Sequence, residues 1–346
     1  MNLILITIEL VLLLLVIFML ILIISTRNNK DTLTEKRFYV LGTIIYLKAF
    51  GKKSESAIKE AFDYLIDIDN RMSAFKDDSE ISIINKNAGI KAKTVSSDTF
   101  SLIEEAIKYS ELSEGAFDPT IRPVVSLWGI GTKSERKPKK DEIQEKLKLV
   151  NYKDIILNKK DNSVGLKNKY QSIDLGGIAK GYATDEITKI FKKNGIKTAI
   201  IDLGGNIFVL GNKNNGTSWN VGIQDPIRGR GEHVGVLSLK DKSVVTSGNY
   251  ERFFIKENEK FHHIIDPSTG YPLKSNVLSA TIISDKSIDG DGLSTGVYIM
   301  GIEKARNLIE SISGIDAIFI TEDKNVYITS GIKENFIVTN EEYILN

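Results

Sequence analysis

The apolar residues of the chain follow two periods, one typical of helices and one typical of strands. Between Ile58 and Met72 they recur at steps of three and four, which predicts an amphipathic helix that runs to Arg71. A second amphipathic helix is predicted after Ser97 and Asp98, which are candidate N-caps. Each helix has one apolar face, so both are expected to pack on a core.

Runs rich in β-branched and aromatic residues predict strands elsewhere. The segment FYVLGTIIYLKAFG predicts two strands around Gly42, and TAIIDLGG, NIFVLG, HVGVLSLK and VLSATIIS predict further strands. Another helix ends at Gly195, late helices lie near 292–313, and final strands lie near 316–330. Helices and strands are interleaved without a strict βαβ rhythm. This pattern favours an α+β fold, with mixed sheets and packed helices, over a doubly wound parallel sheet.

An apolar run at the N-terminus, residues 3–25, contains a single charged residue, Glu9. The run is long enough to span a bilayer, which takes about 20 residues. It lacks the basic n-region and small-residue cleavage site of a secretory signal, so an uncleaved membrane helix is expected. The predicted organisation is a membrane anchor over 1–25, a polar tether over 26–37 and one folded domain over 38–346. Basic residues follow the span and none precedes it, which by the positive-inside rule places the domain in the cytoplasm.

Composition and charge narrow the classes of function. The 46 basic and 45 acidic side chains nearly cancel, which gives no reason to expect a nucleic-acid partner. Hydrophobic residues make up 42% of the 346 positions, enough for a large core. The chain has no cysteine, which excludes a disulfide framework, a thiolate metal site and a lipidated N-terminal cysteine.

The stretch DGDGLSTG, residues 289–296, concentrates acids, glycines and hydroxyls just before an apolar helical run. If a helix begins here, Asp291 and Thr295 fall on one face about one turn apart. Such hard oxygen ligands suit Mg²⁺, which completes its shell with water and substrate phosphates. The competing interpretation is a loop in which Asp289 or Asp291 caps the helix. The residues alone leave both interpretations open.

Two glycine pairs follow strand-like runs. In DLGGIAKG, residues 174–181, the glycines precede a helix whose N-terminus, together with Lys180, would attract an anion. A plain strand-to-helix turn is the commoner origin of such glycines. In DLGGN, residues 202–206, a tight hairpin is the favoured interpretation.

Two other stretches have both a functional and a purely structural interpretation, and a third is interpreted only as a loop. In HHIIDPSTGYP, His262 and His263 precede a tight turn and are candidates for proton exchange near neutral pH, whereas the turn could equally be a loop without chemistry. The aromatic residues of EGAFDPTIRPVVSLWG, 114–129, could line a pocket for a flat ring, although core packing is their commoner role. The charged run KSERKPKKDE, 133–142, predicts a solvated loop.

Seven stretches together carry a resemblance. They are, in order, VLGT (40–43), RMSAFKDDSEISIIN (71–85), GAFDPTIRPVVSLWGIG (115–131), IDLGGIAKGYATD (173–185), SGNYERFF (247–254), HHIIDPSTGYP (262–272) and DGDGLSTGVYIMG (289–301). Over about residues 38–340 the chain resembles the ApbE family, the FAD:protein FMN transferases. The resemblance implies an ApbE-like, T-fold-like architecture within the α+β class.

The resemblance also implies a reaction. In this family Mg²⁺, or Mn²⁺ in its place, is expected to bind the pyrophosphate of FAD, and a Thr or Ser hydroxyl of an acceptor flavoprotein attacks the FMN phosphorus. AMP is then released. Such phosphoryl transfer depends on charge neutralisation and in-line positioning.

By motif match, the resemblance assigns residues to this reaction. The side chains of Asp291 and Thr295 and the backbone carbonyl of Gly177 are implied as metal ligands, and His263 is implied in catalysis. Asp289 is a further candidate for the metal. The positions implied to hold FAD are Leu41, Phe75, Ala116, Phe117, Asp118, Asp174, Lys180 and Ile264.

The chain departs from the family pattern in several places. Leu41 stands where the family usually has Met, and Arg122 stands where the motif GPLV has Gly, so the local backbone there is expected to differ. The family's lipoprotein Cys is absent, and the uncleaved helix would replace it as the anchor. Family members mostly act outside the cytoplasmic membrane. We favour an outward-facing domain on the cell membrane, because Asp31 and Glu35 dilute the basic bias beside the span.

Two other functions fit the same residues. If water replaces the acceptor hydroxyl, the site becomes a Mg²⁺-dependent FAD pyrophosphatase that yields FMN and AMP. A flavin-binding protein without turnover would hold FAD and release no AMP.

Overall fold

The computed structural model describes residues 15–17, 19, 32–229 and 231–346. Within these residues, no helix combines the length and the apolar character needed to cross a membrane. The predicted membrane helix over 3–25 lies outside the described residues, apart from 15–17 and 19, which are helical. Membrane attachment therefore stays a prediction.

Strands occur along the whole length of the domain. Their bounds are β1 Leu33–Val40, β2 Thr43–Phe50, β3 Lys93–Thr94, β4 Ile155–Asn158, β5 Ser163–Leu166, β6 Thr198–Leu203, β7 Asn206–Leu210, β8 Trp219–Gln224, β9 His233–Leu239, β10 Lys242–Gly248, β11 Phe253–Lys256, β12 Glu259–His262, β13 Val277–Ser284, β14 Ile315–Thr321, β15 Asn325–Ile328, β16 Phe336–Val338 and β17 Ile344–Leu345.

The helices lie between these strands in the sequence. Their bounds are α1 Ser54–Met72, α2 Glu80–Lys86, α3 Ser97–Leu112, α4 Arg122–Trp128, α5 Lys140–Leu147, α6 Ala179–Lys193, α7 Ser287–Met300 and α8 Ile302–Glu310.

The main sheet has nine strands in the order β1-β2-β6-β7-β10-β13-β14-β15-β17. Neighbouring strands are antiparallel, except for the parallel pair β15 and β17. Smaller sheets are formed by β16-β9-β8, β3-β5-β4 and β11-β12. The predicted α+β class with mixed sheets is confirmed, since a doubly wound fold would require a mostly parallel sheet.

The sheet separates two hydrophobic cores. On one side α6 packs between α1 and α7, all three helices contact strands of the sheet, and they enclose the larger core, which includes Leu65, Phe191 and Val297. A second core joins strands of the main sheet to the small sheet β16-β9-β8. A third cluster surrounds the fully buried Trp128. Burial of apolar area on this scale is the main driving force for the fold.

Two boundaries differ from the sequence prediction. The cap of α3 is Ser96, whose Oγ accepts a hydrogen bond from Thr99 N, so Ser97 and Asp98 lie in the first turn. Strand β1 begins at Leu33 and therefore includes residues 33–37, which were assigned to the tether. Because β1 is an edge strand with mostly exposed side chains, its sequence lacks the apolar alternation that marks a half-buried strand.

Candidate functional site

The stretch DGDGLSTG lies inside helix α7, from its third residue to its tenth, and does not form a loop before a helix. The N-terminus of α7 is capped by Asp185 of α6, which accepts hydrogen bonds from Ser287 N at 2.7 Å and Ile288 N at 3.0 Å. The hypothesis that Asp289 or Asp291 caps this helix is therefore wrong. The true cap lies about a hundred residues earlier in the chain, where local sequence gives no sign of it.

The glycines of this stretch allow α7 to approach its neighbours closely. A Cβ atom added at Gly290 would lie 2.8 Å from Val245 Cγ2, and one added at Gly292 would lie 2.3 Å from Tyr109 Cδ2. Three of these neighbours are β10, β13 and α3, so α7 lies between the sheet and a second helix. The glycines serve packing, since mid-helix glycine otherwise costs about 1 kcal/mol relative to alanine.

Asp291 is a buried carboxylate, only 3% exposed, that faces the start of helix α6. Its Oδ2 accepts a 2.8 Å hydrogen bond from Gly181 N, and its Oδ1 lies 3.4 Å from the Lys180 ammonium nitrogen. A buried carboxylate requires such partners. The positive end of α6 and one ammonium group therefore hold the charge of Asp291 in place.

Thr295 follows Asp291 by four residues in the same helix, as predicted, and therefore lies on the same face. Its Oγ1 is 3.3 Å from Ser247 Oγ, which also donates a 2.9 Å hydrogen bond to Ser294 Oγ. Ser247, at the end of β10, was missed as a site residue, although it lies in the quoted stretch SGNYERFF. Hydroxyl oxygens from α7 and β10 thus lie side by side, on the helix that carries Asp291.

The glycine turn before α6 faces this group. Gly176 N donates a 2.9 Å hydrogen bond to Asp174 Oδ1, and Gly176 O lies 3.3 Å from the Lys180 ammonium nitrogen. A Cβ atom at Gly177 would lie 3.1 Å from the ring of Phe117. Lys180 therefore bridges an oxygen of the turn and an oxygen of Asp291.

The segment that contains Ala116, Phe117 and Asp118 packs against the glycine turn through the Phe117 ring, which lies beside Gly177. Phe117 is buried, and its N–H donates a 3.0 Å hydrogen bond to Ser113 Oγ at the end of α3. Ala116 N donates to Ser113 O at 2.9 Å. The carboxylate of Asp118 accepts hydrogen bonds from Thr120 N and Oγ1 and from the backbone N of residue 152. Burial raises the pKa of Asp118, and these hydrogen bonds oppose the rise.

Phe75 and Asp174 are brought together by Arg122. The guanidinium of Arg122 lies over the Phe75 ring, 4.5 Å from its centroid, and its Nη1 is 3.4 Å from Asp174 Oδ2. The position where this chain departs from the family motif therefore connects two predicted FAD positions. Sequence reasoning noted the substitution but did not predict these contacts.

The two adjacent histidines have different environments. His262 is buried, with Nε2 2.8 Å from Leu273 O and Nδ1 accepting from Ile264 N at 3.3 Å. Both of its ring nitrogens are therefore hydrogen-bonded to the backbone. The Nδ1 of His263 lies 3.2 Å from Arg252 O, which fixes Nδ1 as the donor and leaves Nε2 as an acceptor. Burial and the charge of Arg252 lower the pKa of His263 to about 3, and the nearby Lys180 adds to this effect.

Two further predicted FAD positions are held through the backbone. Ile264 is buried, and its carbonyl accepts a 3.1 Å hydrogen bond from Leu273 N. Leu41 lies at the tip of the β1–β2 hairpin with a φ of 54°, and it packs on the main core. A Cβ atom at Gly204, in the confirmed β6–β7 hairpin turn, would lie 2.2 Å from Thr43 Oγ1, so the two hairpin tips are in contact.

Asp289 lies apart from the Asp291 face. Residues two positions apart in an α-helix are separated by about 200° around its axis, so the side chains of Asp289 and Asp291 point in different directions. The carboxylate of Asp289 accepts a hydrogen bond from the hydroxyl of Tyr109 in α3. Burial raises the pKa of the Tyr109 phenol, and this hydrogen bond raises it further. Asp289 therefore ties α7 to α3.

The described residues contain no group of three or more His, Cys, Asp or Glu side chains arranged to hold a metal ion. The oxygens in contact with Lys180 come instead from one carboxylate, that of Asp291, and one backbone carbonyl, that of Gly176. Such a mixed set, with few carboxylates, is compatible with a hard cation that keeps water or phosphate oxygens in its shell.

Comparisons with known proteins agree with this geometry. The ApbE family profile matches residues 41–319. An FAD:protein FMN transferase of Treponema pallidum (strain Nichols) is 36% identical over 325 residues, covering 88% of this chain and 89% of that protein. An FAD:protein FMN transferase of Klebsiella pneumoniae (strain 342) is 33% identical over 304 residues, covering 88% of this chain and 94% of that protein.

The fold is shared with solved structures as well. The ApbE protein of Thermotoga maritima superposes with a TM-score of 0.81 at 31% identity, covering 88% of this chain and 99% of that one. The flavin transferase ApbE of Vibrio cholerae superposes with a TM-score of 0.78 at 26% identity, covering 88% and 99%. Since the profile match extends over most of the folded domain, this chain belongs to the ApbE family.

Proposed function

We propose that this protein is an FAD:protein FMN transferase, which moves FMN from FAD to a Thr or Ser hydroxyl of an acceptor protein. The observation that carries the proposal is the contact of Asp291 with Lys180 and Gly181, which joins α7 to the glycine turn within a chain of the ApbE family. An oxygen-rich cluster beside a helix N-terminus suits a pyrophosphate substrate.

The reaction exchanges one phosphate bond for another. The oxygen of the acceptor hydroxyl forms a bond to the FMN phosphorus, the bond between the two phosphates of FAD breaks, and AMP leaves with the bonding electron pair. The hydroxyl proton is lost to a base. The protein's contribution to such a transfer is to position the two reactants and to stabilise negative charge.

We assign the metal ligands to Asp291, Thr295 and the backbone carbonyl of Gly177. A positive charge fits this place, because the Lys180 ammonium lies 3.4 Å from Asp291 Oδ1 and 3.3 Å from the carbonyl oxygen of Gly176, the residue before Gly177. These two oxygens thus face a common positive charge. When bound, Mg²⁺ or Mn²⁺ would neutralise charge on the pyrophosphate. Lys180 would add a second positive charge beside the same phosphates.

His263 is proposed to handle the proton of the acceptor hydroxyl. Its neutral ring donates through Nδ1 to Arg252 O and keeps a lone pair on Nε2. A neutral imidazole can accept a proton at the ring nitrogen that carries the lone pair. Binding of the anionic pyrophosphate would offset the positive charges of Arg252 and Lys180, and so would raise the pKa of His263 toward a range useful for a base.

The FAD-holding residues supply surfaces around this centre. Leu41 and Phe75 offer apolar surface, and Asp174 and Lys180 offer charge. Ala116, Phe117, Asp118 and Ile264 hold the surrounding backbone, and the buried carboxylate of Asp118 is used in that framework. We therefore propose that Asp118 acts on FAD through the shape of its loop, with its carboxylate turned inward.

We propose that residues 3–25 anchor the domain to the cell membrane, with the domain on the extracytoplasmic side. The apolar run and the absence of a cleavage signal support this placement. Fractionation of cells that express the full chain, or a chain starting at Thr32, tests the anchor. Protease treatment of intact spheroplasts tests the side: digestion of the domain supports the outward orientation, and full protection overturns it.

The central test is incubation of the protein with FAD, Mg²⁺ and candidate acceptor proteins, followed by intact mass spectrometry. A mass gain of one FMN on the acceptor, with one AMP released per FMN attached, is expected. Free FMN and AMP in equal amounts, with no modified acceptor, would identify an FAD pyrophosphatase instead. Bound FAD without AMP release under either metal would identify a flavin-binding protein.

A further inference from the structure

Arg122, the first residue of α4, reaches two other segments of the chain. Its Nη2 donates a 2.7 Å hydrogen bond to Ala74 O, and its Nη1 lies 3.4 Å from Asp174 Oδ2. Its Cζ lies 4.5 Å from the centroid of the Phe75 ring. One guanidinium group therefore fixes the loop after α1 and the segment before the glycine turn to the start of α4.

The Phe75 ring is exposed although its loop is held in place. The side chain is 82% exposed, while the neighbouring Ala74 is buried. The loop is fixed by Arg122 at Ala74 O and by the 3.2 Å hydrogen bond from Phe75 N to Ser73 Oγ. An aromatic ring with one face on a guanidinium and another face open presents a flat surface to a ligand.

Resting on the proposed transferase function, we propose that Arg122 is a positioning residue for the flavin donor. Its guanidinium holds Phe75 as a wall for a ring system of FAD and holds the carboxylate of Asp174 beside it. Arg122 acts through these two residues and has no part in the phosphate chemistry. Only arginine combines a planar cation for stacking with several donors in a fixed fork, so lysine is a poor substitute.

The inference predicts a change in donor binding that is separate from chemistry. Without the guanidinium, the Phe75 side chain gains rotational freedom, and FAD must order it on binding. The contacts of Asp291 with Lys180 and Gly181 do not involve Arg122. We therefore expect KM for FAD to rise while kcat changes little, which a general loss of structure would not produce.

The test measures equilibrium binding of FAD by flavin fluorescence, together with KM and kcat, in wild type, Arg122→Gln and Arg122→Lys. We expect binding to weaken roughly five- to thirtyfold in Arg122→Gln, the range expected for loss of a cation–π contact. Arg122→Lys should weaken it by a smaller factor. Arg136→Gln is the matched control: it removes one positive charge and a two-bond pair with Glu142, without contact with Phe75.

A double-mutant cycle tests whether Arg122 affects FAD binding through the Phe75 ring. Phe75→Leu should weaken FAD binding, and Arg122→Gln should weaken it by a smaller factor in the Phe75→Leu background than in wild type, because only the part of its effect exerted through Asp174 remains. Unchanged FAD binding in Arg122→Gln, or fully additive effects of the two substitutions, would overturn the inference. If Arg122→Gln does not fold, Arg122→Lys alone decides between a changed and an unchanged binding constant. Failure of the wild type to bind FAD would instead overturn the proposed function.

Discussion

Asp291 accepts a 2.8 Å hydrogen bond from the N–H of Gly181, the third residue of α6. Asp185, in the second turn of α6, accepts hydrogen bonds from the first two N–H groups of α7. Each helix therefore caps the other with a carboxylate. Because both caps are made across the same helix pair, the position of Asp291 depends on the relative placement of α6 and α7.

Asp291→Asn should remove transfer activity and leave the fold in place. The amide oxygen of asparagine can still accept from Gly181 N, but the negative charge that attracts a cation is lost. We expect the transfer rate to fall at least about 100-fold, as is common when a metal site loses a ligand or its support. The measurement is FMN attached per minute by mass spectrometry, combined with Mn²⁺ binding followed by electron paramagnetic resonance.

Asp289→Asn is the matched control for Asp291→Asn, because it removes the same charge two residues away. It weakens the hydrogen bond with the Tyr109 hydroxyl, so the free energy of unfolding should fall by about 1–3 kcal/mol. The transfer rate and Mn²⁺ binding should stay within about twofold of wild type. If Asp289→Asn lost metal binding as fully as Asp291→Asn, Asp289 would have to be counted as a ligand.

Asp185→Asn should change how stability depends on pH. Burial and the charge of Asp289 raise the pKa of Asp185 to about 6 from its usual 3.8, although its two backbone hydrogen bonds oppose the rise. The folded protein thus binds this proton more tightly than the unfolded chain. The stability due to this group is fully present below about pH 4 and is lost as the pH rises through 6. A shift of this size corresponds to about 3 kcal/mol.

In Asp185→Asn this contribution disappears, and denaturant unfolding at several pH values measures the change. Wild type should lose stability between pH 4 and pH 6 relative to the variant. At pH 4 the carboxyl of Asp185 is protonated in the folded protein and, like asparagine, accepts chiefly through one carbonyl oxygen, so the stabilities of wild type and variant should be closest there. Parallel pH profiles of wild type and variant would show that Asp185 does not titrate in this range.

His263→Ala should chiefly affect catalysis, whereas His262→Ala should chiefly affect stability. Loss of the proposed proton acceptor in His263→Ala should lower kcat about 100-fold, with little effect on folding. His262→Ala removes a buried ring that bonds the Leu273 carbonyl and should chiefly lower the melting temperature. Full transfer activity in His263→Ala would remove this residue from the mechanism.

The pKa of His263 gives a separate check on the same residue. Because burial and Arg252 lower this pKa to about 3, the free protein's His263 should remain neutral between pH 5 and pH 8. Imidazole NMR signals recorded across that range should not shift for His263. A midpoint near pH 6.5 would contradict the environment described for this ring.

Local sequence patterns were sufficient for elements whose exposed and buried faces are regular. The apolar steps between Ile58 and Met72 predicted the helix α1 and placed its C-terminal end to within one residue, because each step reports the face that packs on the sheet. The buried positions of β2 alternate with partly exposed ones, as its sequence indicated. Strand β1 was placed only in part, since an edge strand buries few side chains and its sequence resembles a polar linker.

The site was predicted through the family motifs, and its architecture was not. Spacing and resemblance predicted Asp291 and Thr295 as metal ligands. The cap from Asp185 and the bridge formed by Arg122 join segments that lie far apart in the chain. The glycines between 289 and 296 suggested a loop, because local rules associate glycine with turns. In the folded protein they are selected by close approach of α7 to its neighbours, which one sequence cannot display.

Gly181→Ala provides a test in which two physical effects oppose each other. Alanine is favoured over glycine inside a helix by about 1 kcal/mol. However, the added Cβ would lie 2.5 Å from Ser287 O and 2.6 Å from Asp291 Cβ, and neither atom is the end of a flexible side chain. We expect the clash to prevail, with a net loss of about 1–3 kcal/mol in stability.

Displacement of Asp291 should make Gly181→Ala a functional variant as well. The concentration of Mg²⁺ required for half-maximal transfer should rise at least about tenfold, because the carboxylate is pushed from its place. Gly195→Ala serves as the control: its Cβ meets no atom within 4 Å, and its φ of 76° strains alanine, so it loses stability away from α7. If both variants lost stability and both kept the wild-type Mg²⁺ requirement, the contact between Gly181 and Asp291 would have no role in metal binding.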